Sequence, residues 1–388
     1  MFLIRCIVRQ LVLLLLFADT CFSACAVCPA DRTIWFVNNA NPLTGDGSYN
    51  NPFSNLQIAI ATAGDCDLIY VFPGDSPYDA QDHAPSMGQP FSLKPNQRLL
   101  STTLEAFQLC PQNCSLPVLT NTQGDAVINL SNNNQVSGFI ISPDTRQFGP
   151  LGIAADGISQ ATISHNVLLL SHTGLGISVL NCPQLDVFTV QQCSILGTDN
   201  TQNQGIHFIQ SANGIITITQ NVFGGTSSGS LNMGIFITRC TGDNEYFIAE
   251  NSFSFTANPS GSAVGILFYT QMSTGKQTAV VTDNQIVMTA DSLPAGGIAF
   301  LNDLTPACLT LHNNTVSTPV NFPGYFIWNI SNVPFLLDFD NSNKGVFLVN
   351  ATTPNSPLPA PPSFTPINPT CPLSSLRRVS ETGKMQDS

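Results

Sequence analysis

The side chains in this sequence best suited to chemistry are His207, Arg239 and Asp243. They supply an imidazole that titrates near neutrality, a permanent planar cation and a carboxylate. Such a set can take a proton, clamp an anionic group and stabilise developing charge. His207 and Arg239 are the only basic members of a series of outward positions beside a recurring Gly-Ile pair, and that series carries no carboxylate. The nearest acids, Asp156, Asp199, Asp243 and Asp303, fall in the connecting loops. Asp338 and Asp340 put two carboxylates on one side of a strand, with nothing basic close in sequence. Scattered surface polar residues are the simpler account of all these groups, so no catalytic set is assigned. Cys25 and Cys28 form the only tight cysteine pair, at the end of an apolar N-terminal stretch, so no metal site is assigned either.

The same outward series contains Ile209, Phe236, Leu267, Tyr269 and Leu301. A solvated sheet face should be polar. Such a stripe is either covered by loops or exposed for a protein or a sugar ring, with Phe236 and Tyr269 as stacking platforms. Ile209, Phe236, Leu267 and Tyr269 are therefore the candidate ligand-binding residues.

These positions are set by two repeats. An apolar-x-apolar-x-x-Asn-x-apolar pattern has its Asn place at Asn166, Cys193, Asn221, Asn251, Asn284 and Asn314, spaced 27, 28, 30, 33 and 30 residues apart. Gly-Ile recurs at Gly176, Gly205, Gly234, Gly265 and Gly297, spaced 29, 29, 31 and 32 apart. Fixed periods of this size indicate a solenoid, and the alternation within each segment has the period of a strand. Three strands per repeat make one coil of a parallel β-helix. At a sharp bend, the Asn amide bonds to backbone left unpaired by the turn and to the Asn of the next coil, and Asn tolerates the left-handed conformation that bends use. Cys193 fits the same slot as a small buried residue.

These repeats resemble those of the right-handed parallel β-helix, pectin-lyase-like superfamily. The entrance Gly45-Asp46-Gly47-Ser48 through Pro52-Phe53 to Ala61 is similar to the family segment that leads into a short helix capping the open end of the core. Asp67 to Gly74 resembles its first strand and turn. The resemblance covers residues 33–350 and implies an all-β right-handed parallel β-helix solenoid with a short N-terminal capping helix. It also implies two enzymatic possibilities. Family lyases use Ca²⁺ held by carboxylates with an Arg or Lys base, and family hydrolases use paired Asp residues. Ca²⁺ enters only under the lyase alternative, and otherwise no cofactor is expected.

Composition bounds the rest. The 388 residues hold 12 basic against 24 acidic side chains, a net charge of −12, and only 9% are charged. That excludes a nucleic-acid partner. Arg5 and Arg9 before the apolar run Leu11–Ala18 define residues 1–24 as a signal peptide, with Cys25 as a candidate lipidation site. Residues 351–388 read as a Pro-rich, mostly disordered tail. The expectation is an exported protein of the cell envelope or extracellular space. Its partner would be a surface polysaccharide or a protein, and any membrane attachment would come through the signal peptide or a lipid anchor. A polysaccharide lyase or hydrolase built on His207, Arg239 and Asp243 is the alternative.

Overall fold

The computed structural model describes residues 28, 32–82, 88–101, 115–143, 150–170, 174–197, 204–227, 231–257, 262–270, 272–290, 295–302, 305–319, 324–329, 335–339, 342–345 and 347–350. Residues 1–24, read as a signal peptide, Cys25, Asp199, Asp303, Asp340 and residues 351–388 lie outside the described residues. The architecture below is that of the compact unit that begins at Ile34.

The chain winds as a parallel β-helix. Each strand pairs in parallel with its equivalents one coil before and after, building three sheets of 11, 10 and 9 strands. The 11-stranded sheet runs from Ile34–Val37 to Phe335–Phe339, the 10-stranded sheet from Phe91–Ser92 to Phe347–Asn350, and the 9-stranded sheet from Tyr78–Asp79 to Thr315–Ser317. One coil shows the pattern: Gln204–Ile209 in the 10-stranded sheet, Ile215–Thr219 in the 11-stranded sheet, then Val222–Ser227 in the 9-stranded sheet.

Alternation decides which side chains face inward. Ile206, Phe208, Ile216 and Ile218 of that coil are fully buried. In register, each inward residue lies over its equivalent one coil away, about 4.8 Å along the axis. Phe223 and Phe253 accordingly stack with ring centroids 4.6 Å apart and planes 4° from parallel. In the 10-stranded sheet, Phe268 and Phe300 also lie one above the other at 5.2 Å, with planes tilted by 35°.

The Gly of each Gly-Ile pair has a steric cause. A Cβ at Gly234 would sit 2.5 Å from the carbonyl oxygen of Gly265 and 2.5 Å from Cε1 of Phe253. Gly176, Gly205 and Gly265 meet the glycine carbonyl of the following coil in the same way. The column lets the 10-stranded sheet approach both its next coil and the aromatic layer of the 9-stranded sheet.

The corner between the 11- and 9-stranded sheets holds the Asn column. Asn251 Nδ2 donates to Ile218 O at 2.9 Å and to Asn284 Oδ1 at 3.0 Å. Its own Oδ1 accepts from Asn221 N at 2.9 Å and from Asn221 Nδ2 at 3.0 Å. The chain of bonds continues through Asn284 and Asn314 to Asn343. Asn166 Nδ2 donates to Val136 O at 3.0 Å. Cys193 interrupts the series, and its Sγ reaches Ile163 O only at 3.8 Å.

One expectation is corrected here. The left-handed residue at this corner is not the Asn but the one before it: His165, Gln192, Gln220, Glu250, Asp283 and Asn313 all have φ between 53° and 57°. The bend is made one residue early, which frees the Asn to point its amide along the inner wall.

The helix Leu56–Thr62 starts at Asn55, whose Oδ1 accepts from Ile58 N at 3.0 Å. It buries Leu56, Ala59 and Ile60 in the same core as the first strands. Among the described residues, no helix is long and apolar enough to cross a membrane. Cys28, Cys66 and Cys308 are disulfide-bonded. Cys182, Cys193 and Cys240 are buried free thiols. Burial pushes Cys193 up to about 11 and also raises Cys182 and Cys240.

Candidate binding face

The 10-stranded sheet turns two columns of side chains outward. One runs Ser178, His207, Phe236, Leu267, Ala299 and Phe326, each in register with the next. The other runs Leu180, Ile209, Thr238, Tyr269, Leu301 and Trp328. Phe236, Leu267, Phe326, Ile209, Tyr269, Leu301 and Trp328 are all half-buried. The result is an apolar, ring-bearing strip whose members repeat at the strand spacing. Phe326 and Trp328 end it as an edge-to-face pair with centroids 5.9 Å apart. Sequence reasoning missed these two. The available signal was Gly324-Tyr325, which carries on the Gly-Ile register with Tyr in the Ile place.

The proton-moving trio is not assembled. His207 is buried in the first column, with its ring stacked on Phe236 at 4.6 Å and 25°. Neither ring nitrogen has a hydrogen-bond partner, and Oγ of its register neighbour Ser178 has none either. Arg239 sits beyond the end of the sheet, exposed, at a corner where its φ of 53° turns the chain. Asn181 and Gln210 occupy the same corner with φ of 48° and 55°. This fifth residue after each of these glycines therefore belongs to the turn rather than to the flat face. Asp243 lies exposed on the far side of that turn, where Oδ1 accepts from Lys276 N at 2.7 Å. Among the described residues no ion pair joins Arg239 to Asp243; elsewhere, His312 Nε2 lies 3.6 Å from Asp338 Oδ2. No group of three or more His, Cys, Asp or Glu side chains with metal-binding geometry occurs among the described residues.

Burial makes His207 a hard base to charge. Desolvation lowers its pKa to about 4, against roughly 6.5 in an unfolded chain. Between these values the unfolded chain takes up a proton that the folded chain refuses. Stability is therefore intact above pH 6.5 and falls as the pH drops towards 4. The loss expected between pH 7 and pH 4.5 is about 2–3 kcal/mol. His207→Phe keeps the stack on Phe236 and should remove this part of the acid sensitivity in urea unfolding at the two pH values. An unchanged acid limb in the variant would mean that folded His207 protonates freely.

A second aromatic group lies on the outer side of the first coils, also missed in sequence. Phe36 packs edge-on against Tyr49 at 5.3 Å and stacks with Phe72 at 6.0 Å, while Tyr70 meets Phe72 at 5.0 Å. The period-two signal is present in Ile34-Trp35-Phe36 and Leu68 to Phe72, but both faces of these strands are apolar, so alternation cannot tell inside from outside.

No family model and no curated protein matches this chain. Several solved structures are similar in shape. A GH136 lacto-N-biosidase from Eubacterium ramulus matches at 8% identity, covering 82% of this chain and 67% of that one, with a TM-score of 0.33. A polygalacturonase from Erwinia carotovora ssp. carotovora matches at 16% identity, covering 79% and 97%, with a TM-score of 0.29. The Streptococcus pneumoniae surface protein and adhesin PfbA matches at 12% identity, covering 76% and 95%, with a TM-score of 0.26. The parallel β-helix itself stands on the strand register, in the architecture that the pectin-lyase-like motifs of the sequence imply.

Proposed function

We propose that this protein is exported and binds a surface polysaccharide along the outward strip of the 10-stranded sheet. The observation that carries this reading is the strip itself: Phe236, Tyr269, Phe326 and Trp328 present ring surface at positions where an uncommitted sheet face would carry polar residues. Ile209, Leu267 and Leu301 fill the space between the rings. Flat rings suit the apolar faces of sugars, and the polar edges of a sugar chain remain free to meet water. The disulfide-bonded cysteines fit an oxidising compartment outside the cytoplasm. The right-handed winding usual for parallel crossovers, and a capping role for the helix Leu56–Thr62, belong to the same reading. So does the structural role of the Asn column.

The test is a glycan-array screen of the chain from Ala24 onward, with parallel assays for new reducing or unsaturated ends. Binding without product is expected. Tyr269→Ala with Trp328→Ala should weaken it by at least ~10-fold, the usual loss on truncating aromatic anchors, with the melting transition unchanged. Binding that ignores both truncations would remove the strip as the site. Product formation lost in Arg239→Ala would replace binding by catalysis.

A further inference from the structure

Given the reading that the outward strip binds a polysaccharide, two of its properties select which kind. The first is charge. The column from Ser178 to Phe326 and the column from Leu180 to Trp328 hold no Asp, Glu, Lys or Arg. Burial keeps His207 uncharged at neutral pH, and Arg239 turns off the sheet at the corner after Thr238. A uronate or sulfate group laid on this half-buried aliphatic and ring surface would lose water and gain no cation in exchange. A chain with a net charge of −12 also repels such a ligand before contact. A neutral sugar meets neither penalty, since its C–H face covers the rings while its hydroxyls stay in water at the edges.

The second is spacing. Ile209, Thr238, Tyr269, Leu301 and Trp328 follow one another in register, one per coil. Each coil advances the strip by about 4.8 Å. That advance is close to the length of one sugar in a fully extended, equatorially linked chain of the cellulose or mannan type. Axially linked chains coil and shorten, so they fall out of step with the coils. In the extended chain each sugar is flipped by half a turn from the last, and the first and third turn the same face down. Tyr269 and Trp328 stand two coils apart, about 9.6 Å, with Leu301 between them. Ring surface therefore recurs where the same sugar face recurs, and an aliphatic side chain lies under the flipped sugar.

We propose that the strip takes a neutral, extended, equatorially linked polysaccharide lying along the solenoid axis with one sugar per coil, and that Tyr269 and Trp328 stack on alternate sugars. The five coils from Ile209 to Trp328 make a site five sugars long. Phe236 and Phe326, in the other column, flank it at the levels of Thr238 and Trp328.

Calorimetric titration of the exported chain with purified oligosaccharides tests this. Cello- and manno-oligosaccharides are the neutral extended probes, malto-oligosaccharides the neutral coiled ones and oligogalacturonates the charged ones. Affinity within the cello- or the manno-series is expected to rise up to the pentasaccharide, then level, and to be the same at low and high NaCl. Malto- and galacturono-hexasaccharides should bind at least ~10-fold more weakly, from mismatch and from desolvated charge. Tighter oligogalacturonate binding that is lost in Tyr269→Ala with Trp328→Ala overturns the neutral class and leaves the strip as the site. A malto-series that binds as well as the extended ones, or a plateau at the disaccharide, overturns the coil-by-coil match. Neutral binding that survives both truncations removes the strip and this inference with it. Binding of none of these probes also overturns the inference; a glycan array that still finds a ligand for the strip then preserves the binding reading, and an empty array removes both.

Discussion

Gly234→Val is expected to cost about 3 kcal/mol or more, the upper range for overpacking, because neither neighbour can yield cheaply. One is the backbone carbonyl of Gly265, and the other is Phe253, whose ring is held in a parallel stack by Phe223. The coil cannot move aside alone, since it is hydrogen-bonded in register on both sides. Repeat arrays fail by neighbouring units, so hydrogen exchange should rise first across the coils holding Gly205, Gly234 and Gly265. Gly64→Val is the control. Its new Cβ would have Asp67 Oδ2 as nearest neighbour at 3.5 Å, an ordinary contact, and its urea midpoint should stay near the wild-type value. If Gly234→Val unfolds at the wild-type midpoint, the glycine column is not a packing requirement.

Asn251→Leu should be the other severe substitution. Leucine fills the slot but strands Ile218 O and the backbone N–H of Asn221, both of which bond to the Asn251 side chain. Asn284 Oδ1 keeps a bond from Asn251 N at 3.0 Å, and Asn221 Nδ2 keeps Val190 O at 3.0 Å, so the damage is two groups rather than four. At 1–3 kcal/mol for each unsatisfied buried group, the loss is about 2–6 kcal/mol. Cys193→Ala in the same column should cost far less, because that sulfur's contacts are long, 3.4 Å to Gln191 O and 3.8 Å to Ile163 O. Equal losses at the two positions in chemical denaturation would mean that the column is held by packing and not by its amides.

The parallel β-helix was readable because its information is one-dimensional. A strand needs only alternation, and a coil needs only that the alternation return at a fixed distance. Gly and Asn mark that distance, since a close approach and a polar corner each admit few residue types. The next member, Asn343, could not be read although it follows Asn314 by 29 residues, because Asp338, Asp340 and Gly345 stand where the pattern has its apolar flanks. The site was less legible for a different reason. Whether His207 is a surface base or a buried ring depends on what lies over the sheet, which no local pattern records. Arg239 shares the register of the face in sequence, yet the left-handed corner carries it off the sheet. Tyr49 joins Phe36 and Phe72 from an irregular loop whose path has no period at all.

Because every Asn in the column holds the next one, the corner behaves like a cable with one weak link. From Asn221 to Asn343 each coil is tied to its neighbour by amide bonds along the axis. Between Asn166 and Asn221 the link is Cys193, whose backbone N–H still donates to Asn221 Oδ1 at 2.9 Å but whose thiol replaces the side-chain amide that ties each later coil to the next. A shearing load applied along the axis would therefore concentrate at the coil of residues 187–197. The molecule would yield as two segments of similar length, of which the C-terminal one is the more strongly tied.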